Sequence, residues 1–185
     1  MKFPELWADD VAARVAQVKL DWTTPGLVVL LYKDARCDMR ILDETVGPEN
    51  WQREHYECKG NLFCRVGINV NYRHPDQEPR WVWKSDCGTE SNTEAQKGEA
   101  SDSFKRACFN WGIGRELYTA PRIWIEQKDS RGNPNFEVES DEKGRKRPKL
   151  SLVVTGLEST DDKITYLEIQ NALLNKIVYA WRAKQ

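Results

Sequence analysis

Residues 97–118 read KGEASDSFKRACFNWGIGRELY, and the fold turns on how this stretch is placed. At about 100° per residue, Ala100, Phe104, Ala107, Cys108 and Trp111 converge on one arc, which marks a helix with one buried side. Asp102, Lys105, Arg106 and Phe109 fall on the opposite arc. A phenylalanine between two cations on a polar face either packs under another layer of structure or presents a ring to a flat, negatively charged partner. SNTEAQ, just upstream, supplies N-cap residues and early acids. Gly112 and Gly114 supply the stop, since either can take the positive φ that ends a helix.

Ahead of this helix, WQREHYECKGNLFCRVGINVNYR holds two runs of strand formers around the tight turn KGN, and RWVWKSDCG adds a third run after the loop HPDQEP. Three sequential strands predict an antiparallel meander. Nearer the N-terminus, Leu6, Val11, Val15 and Val18 sit near helical spacing and predict a helix over residues 5–19. Pro25 and Gly26 break the chain before the apolar run GLVVLLY, and KDARCDMRILDETVG predicts a second helix over 33–46 that stops at Gly47 and Pro48. After the long helix, RIWIEQ predicts a short strand, residues 128–149 a polar, mobile loop rich in turn formers, and LSLVVTGLE another strand. The final KITYLEIQNALLNKIVYAWR suits a helix through Tyr166, Ile169, Leu173, Ile177 and Trp181, or two strands; its β-branched content favours a hairpin.

A chain of 185 residues suits one domain of ordinary size, with residues 1–120 as its core and 121–185 as a β-rich extension of it. The 28 basic and 29 acidic residues leave a formal charge of −1, so only a local cluster of cations can argue for a polyanionic partner. Eight tryptophans are a surplus for so polar a chain: most belong in the core, with one or two left for an exposed stacking surface. Cysteines 37, 58, 64, 87 and 108 include no CxxC pair and match no disulfide framework, so reduced thiols are expected. His55, Cys58 and Cys64 fit none of the common zinc spacings and sit in a segment that alternates like a strand, so no metal is expected. With no secretory apolar run and no stretch of eighteen apolar residues, the sequence predicts a soluble, cytoplasmic protein that does not enter membranes.

Catalytic equipment is mostly missing. There is no GxxxxGK[ST] loop to cradle nucleotide phosphates, no GxSxG elbow, no HExxH, and only two histidines, flanking different strands. A protein that is not an enzyme and carries no cofactor is expected. The strings DEK at 141–143 and DDK at 161–163 loosely resemble the carboxylate-lysine ends of metal-dependent nucleases, but a solvated loop explains them as well. What remains is cationic and aromatic. Lys97, Lys105, Arg106 and Arg115 sit on or just beyond one helix, Arg36 and Arg40 on another, and Arg65 and Lys84 come from the strands. Gathered along one groove, they would follow a phosphate backbone with salt-dependent affinity. Scattered, they would form ordinary surface pairs such as Asp102 with Arg106. Phe109 beside Lys105 and Arg106 tilts the balance toward single strands, whose bases stack on aromatic rings.

EASDSFKRACFNWGIGRELY at 99–118 resembles the signature of the Rad-fifty-two/twenty-two family of single-strand annealing proteins, in its phage Sak-type and bacterial DdrA-like branches. The shared pattern is a Ser or Thr, then Asp, two residues, Lys-Arg-Ala and a Gly-rich end. ARCDMRILDETVGPENWQ and WVWKSDCGTESN are similar to two further blocks in the same order, so the resemblance covers roughly residues 5–120 and is weaker beyond. It implies an α+β fold in which an antiparallel β-meander packs on a long central helix, a β-β-β-α core with additional C-terminal strands, assembled into a ring or helical oligomer. It also implies ATP-independent binding and annealing of single-stranded DNA in homologous recombination and double-strand break repair, with bases facing out of a basic groove. Lys105 and Arg106 match the family's DNA-contacting Lys-Arg pair, Lys97 a basic position one or two turns earlier, and Arg36 approximates an arginine of the preceding helix. Where eukaryotic members carry a third basic residue, this chain has Phe109, which either stacks in its place or packs against a neighbouring subunit. Arg115 and Tyr118 belong to the phage-type GIGRxLY ending, which suits a structural role. The implied partners are single-stranded DNA, further copies of the chain in a ring or filament, and a host or phage single-strand-binding protein or exonuclease. Two other functions stay open on sequence: a metal-dependent recombination nuclease, and a purely structural oligomer whose Lys105 face is a subunit contact.

Overall fold

The chain opens on strands where helical spacing predicts a helix. In the computed structural model, which describes residues 1–74, 76–89 and 95–184 without the side chains of 95–97, residues 5–19 contain a short 3-10 turn at Ala8–Asp10 and then a strand. The reason lies in one extra residue. A bulge between Val15 and Gln17 inserts a step into the strand alternation, so Val15 and Val18 face the same side three residues apart and mimic a helical period. Their β-branched side chains also suit the pleat better than a helix. The N-cap stretch expected at SNTE lies outside the described residues.

In chain order the elements are β1 (Ala12–Lys19), β2 (Gly26–Tyr32), α1 (Ala35–Val46), β3 (Trp51–Cys58), β4 (Asn61–Asn69), β5 (Trp81–Cys87), α2 (Ala95–Trp111), β6 (Ile123–Glu126), β7 (Glu137–Ser140), β8 (Lys146–Lys149), β9 (Leu152–Thr160), β10 (Lys163–Asn171) and β11 (Lys176–Arg182). The architecture is α+β, with antiparallel sheets and two α-helices. The chain divides into two compact units: residues 1–5 with 34–115, and residues 6–33 with 116–185.

The first unit is the expected meander, β3-β4-β5, with α2 against β4 and β5 and α1 beside α2. Lys59 and Gly60 turn β3 into β4 with φ of 53° and 76°, the two positive values a primed two-residue hairpin turn requires. Cys64, Val66 and Ile68 of β4 and Phe104, Ala107 and Cys108 of α2 are all 0% exposed, so the arc read from sequence is the buried one. Burial pushes the Cys64 thiol up to about 11, against a smaller opposing pull from the Arg53 guanidinium. The thiol is therefore protonated and unreactive at neutral pH. Asp34 caps α1 by accepting the backbone N–H of Arg36 at 2.7 Å and of Cys37 at 3.1 Å. Gly47, at φ 88°, donates to the Asp43 carbonyl and ends the helix.

α2 approaches the residue after β5 so closely that a Cβ on Gly88 would run into the Glu99 backbone carbonyl. Helical backbone cannot yield as a flexible side chain would. Gly88→Ala is therefore expected to cost about 1–3 kcal/mol, read as a lower urea midpoint with an unchanged slope.

The second unit holds two three-stranded sheets, β1-β2-β6 and β9-β10-β11. Leu27 and Val29 of β2 and Ile123 and Ile125 of β6 are at most 2% exposed, and Leu167 and Ile169 of β10 are wholly buried. The C-terminal segment is the hairpin favoured by its β-branched residues, β10 paired antiparallel with β11. Residues 128–149 differ from the mobile loop expected of them, because they contain the hairpin β7-β8. Asp141 organises its turn, accepting the backbone N–H of Lys143 at 2.9 Å and of Arg145 at 2.8 Å. Asp129 anchors the earlier part of the segment to β11 through the Lys176 ammonium at 2.9 Å.

That ammonium, helped by the backbone N–H of Asn133, holds the Asp129 carboxyl well below the usual carboxylate range. A carboxylate whose pKa is lower folded than unfolded stabilises the fold above its unfolded value of about 4, and the contribution is lost as pH falls through the depressed folded value. Asp129→Asn is thus expected to be less stable than the wild type at pH 7, with the deficit shrinking below about pH 4. Urea midpoints across a pH series check this. Among the described residues no helix is long and apolar enough to cross a membrane.

Candidate nucleic-acid interface

Lys97, Lys105, Arg106, Arg115, Arg36, Arg65, Lys84 and Phe109 all fall in the first unit. What holds α2 in place decides which of them face outward. On its inner side Phe104 stacks against Trp51, with ring centroids 6.1 Å apart, and carries the Arg53 guanidinium 4.8 Å from its ring centre. Trp111 donates its indole N–H to the Val66 carbonyl at 2.9 Å, and Glu99 accepts the Leu62 N–H at 3.0 Å. These contacts fix the helix's rotation about its own axis on the sheet.

A second line of side chains, Asp102, Arg106 and Asn110, runs one turn apart along the β5 side. Asp102 accepts from the backbone N–H and hydroxyl of Thr89 at 3.1 and 3.2 Å. Arg106 pairs with Asp86 through Nε at 3.2 Å, and its side chain is 42% exposed. Asn110 donates to the Ser85 carbonyl at 3.0 Å and to Asp86 at 3.3 Å. Arg106 therefore sits at the margin between helix and sheet, held by a carboxylate of the neighbouring strand.

Lys105 is one position away and behaves differently. It is half-buried, and among the described residues it has no carboxylate partner. Phe109 lies one turn further on, half-buried, with the Arg115 guanidinium 5.7 Å from its ring centre. Arg36, in the first turn of α1, is exposed and likewise without a carboxylate partner among the described residues. The side chain of Lys97 lies outside the described residues.

Lys84 and Arg115 converge on the end of α2. The Lys84 ammonium donates to the Asn110 carbonyl at 2.8 Å, and Arg115 donates to the carbonyls of Phe109 and Asn110, each at 3.1 Å. Two cations thus satisfy the orphan carbonyls and complement the negative end of the helix. Arg65 belongs to a different surface. The β3-β4-β5 register puts it beside Glu54 and Ser85, on the face away from the helix, where it makes a two-point bond to Glu54 at 2.6 and 3.0 Å and covers the Trp83 ring at 4.7 Å. The set read as one from sequence therefore separates into α2 side chains away from its buried arc (Lys105 and Phe109, with Arg106 at the margin), an exposed cation on α1 (Arg36), a helix cap (Lys84, Arg115) and a paired residue on the opposite sheet face (Arg65), with the side chain of Lys97 outside the described residues.

Sequence reading missed Asp86 and Asn110, which position Arg106. The signal was present for one of them, since Asn110 follows Arg106 by four residues and Asp102 by eight. Asp86 had none, because only the meander brings its strand against α2.

The first unit is thus an antiparallel meander packed against a helix that carries Lys105, Arg106 and Phe109. The chain belongs to the Rad52/22 family of double-strand break repair proteins, whose model matches residues 33–136, more than half of its length. Over 120 residues it is 38% identical to the single-stranded DNA-binding protein DdrA of Deinococcus radiodurans, covering 64% of this chain and 54% of that protein. Over 157 residues it is 27% identical to the single-stranded DNA-binding protein DdrA of Deinococcus deserti, covering 82% of this chain and 73% of that protein. The match thus spans little more than half the length of the Deinococcus radiodurans protein. No solved structure matches the chain.

Proposed function

We propose that this chain binds single-stranded DNA along the side of α2 that carries Lys105 and Phe109, with Arg36 and Lys97 extending the cationic line. On this reading it anneals complementary strands without ATP in recombination and double-strand break repair. The observation that carries it is the state of Lys105. In a family member whose relatives are named for single-stranded DNA binding, the lysine of the Lys-Arg pair is left without a carboxylate among the described residues. An ammonium already paired must give up its partner to take a phosphate. One that is not paired gains the contact and releases condensed counterions. Arg106, oriented by Asp86, supplies a directed guanidinium beside it.

Annealing follows from the same electrostatics. Two strands repel through their phosphates, and a basic edge that neutralises one backbone removes much of that repulsion while the bases stay free to pair. Side-by-side copies in a ring or filament would lengthen the edge and hold the strand extended, lowering the entropic cost of finding register. No bond is made or broken, and no nucleotide is consumed.

The test uses two complementary dye-labelled oligonucleotides mixed with the protein in the absence of nucleotide and in the presence of chelator. Pairing faster than in the protein-free control supports the reading. Pairing at the control rate overturns it, and shortening of the strands that chelator abolishes would favour a metal-dependent nuclease instead.

A further inference from the structure

The β1-β2-β6 sheet of the second unit has one face in the core and one outside. The register sets Arg14 beside Leu30, Gln17 beside Val28, Lys19 beside Gly26, and Trp124 beside Val28, all on the outer face. Trp22, in the turn between β1 and β2, stacks on Trp124 with ring centroids 6.0 Å apart and planes 29° from parallel. A Cβ on Gly26 would collide with the Trp124 ring, so the glycine is what lets that indole lie flat on the sheet. Trp22 is 54% exposed, Leu30 48% and Tyr32 41%. The Lys19 ammonium lies 5.0 Å from the Trp22 ring centre, and the Arg14 guanidinium 5.7 Å from that of Tyr32. Neither cation has a carboxylate partner among the described residues. The nearby acids are Glu126, in register with Gly26, and Asp21, in the turn between β1 and β2.

We propose that this outer face is a base-stacking platform for single-stranded nucleic acid, with Trp22, backed by Trp124, and Tyr32 taking bases and Lys19 and Arg14 taking phosphates. The proposal rests on the chain being a single-strand binder and gives it a second contact surface. β1 and β2 precede the residues that match the family model. Two exposed rings, Trp22 and Tyr32, each with a cation near it that has no ion-pair partner among the described residues, match the two parts of a nucleotide. A duplex keeps its base faces stacked on one another, whereas a single strand presents them. From Gly26 to Tyr32 the platform runs roughly 20 Å, long enough for a short run of bases.

The test compares binding of a labelled thymidine oligonucleotide with that of an abasic sugar-phosphate strand of equal length. The wild type is expected to prefer the thymidine strand. Trp22→Ala is expected to weaken thymidine binding by about 5- to 150-fold and leave abasic binding unchanged, while Trp22→Phe keeps most of the preference. Lys19→Gln is expected to weaken both strands. Retention of the thymidine preference in Trp22→Ala overturns the platform, as does a changed sedimentation coefficient at unchanged affinity, which would make this face a contact between copies. Lys105→Glu in the same assay separates the two surfaces: if it weakens binding and Trp22→Ala does not, only the platform falls. If the wild type binds neither strand, the single-strand reading falls and takes the platform with it.

Discussion

Lys105→Glu is expected to lower affinity for a single-stranded oligonucleotide by about 10- to 100-fold near 0.1 M salt. The change removes one phosphate contact and sets a carboxylate where the backbone has to pass. Its effect on the fold should be small, since Lys105 lies on the outer side of α2 and has no ion pair among the described residues to lose. Far-UV circular dichroism and the urea midpoint should therefore match the wild type. Lys84→Ala is the instructive contrast. Its ammonium closes the Asn110 carbonyl and lies 4.7 Å from the Trp111 ring centre, so the loss should appear first in stability, by about 1–2 kcal/mol.

Phe104→Ala is expected to destabilise the chain by about 3–5 kcal/mol, as large buried aromatics do when truncated. Phe104 is 0% exposed and joins the two layers of the first unit, packing from α2 against Trp51 and beneath Arg53. Truncation leaves a cavity between helix and sheet, deprives Arg53 of its ring, and loosens the element that aims Lys105. Urea unfolding gives the magnitude. Single-strand binding should fall in step with the folded fraction, and it should recover when the temperature is lowered enough to restore the fold.

The first unit was legible because its signals were local. KGN named its own turn, Gly47 and Pro48 marked the end of α1, and the apolar arc of 97–118 is the arc that is buried. β1 was misread because a bulge imitates the helical period, and periodicity alone does not separate a strand with one inserted residue from a helix. The hairpin β7-β8 was read as loop because EVES and KRPK carry charge at most positions. Its order comes from Asp141 collecting turn amides, and from cross-strand pairs such as Glu137 with Lys149 at 3.8 Å. Neither signal resembles hydrophobic alternation.

The candidate site was legible in kind and illegible in grouping. Residue types and the KRA motif pointed to the outer side of α2, where Lys105 lies. Arg65, Lys84 and Arg115 entered the same set because a sequence lists cations without their partners. Strand parity separates Arg65 from Lys84, since Arg65 pairs in register with Ser85 and Lys84 with Val66, so the two point to opposite faces. Arg115 follows a helix end, where a cation meets carbonyls before it meets any ligand. Lys19 and Trp22 were passed over because a hairpin misread as helix hides the face on which they meet.

The central claim is that Lys105 holds a phosphate. It is tested most directly by the salt dependence of oligonucleotide affinity, measured by fluorescence anisotropy for the wild type and Lys105→Ala from 50 to 300 mM salt. Each phosphate neutralised on a single strand contributes about 0.7 to the slope of log affinity against log salt. The account predicts a falling line for the wild type and a line shallower by about 0.7 for the variant. Parallel lines of equal affinity would contradict it.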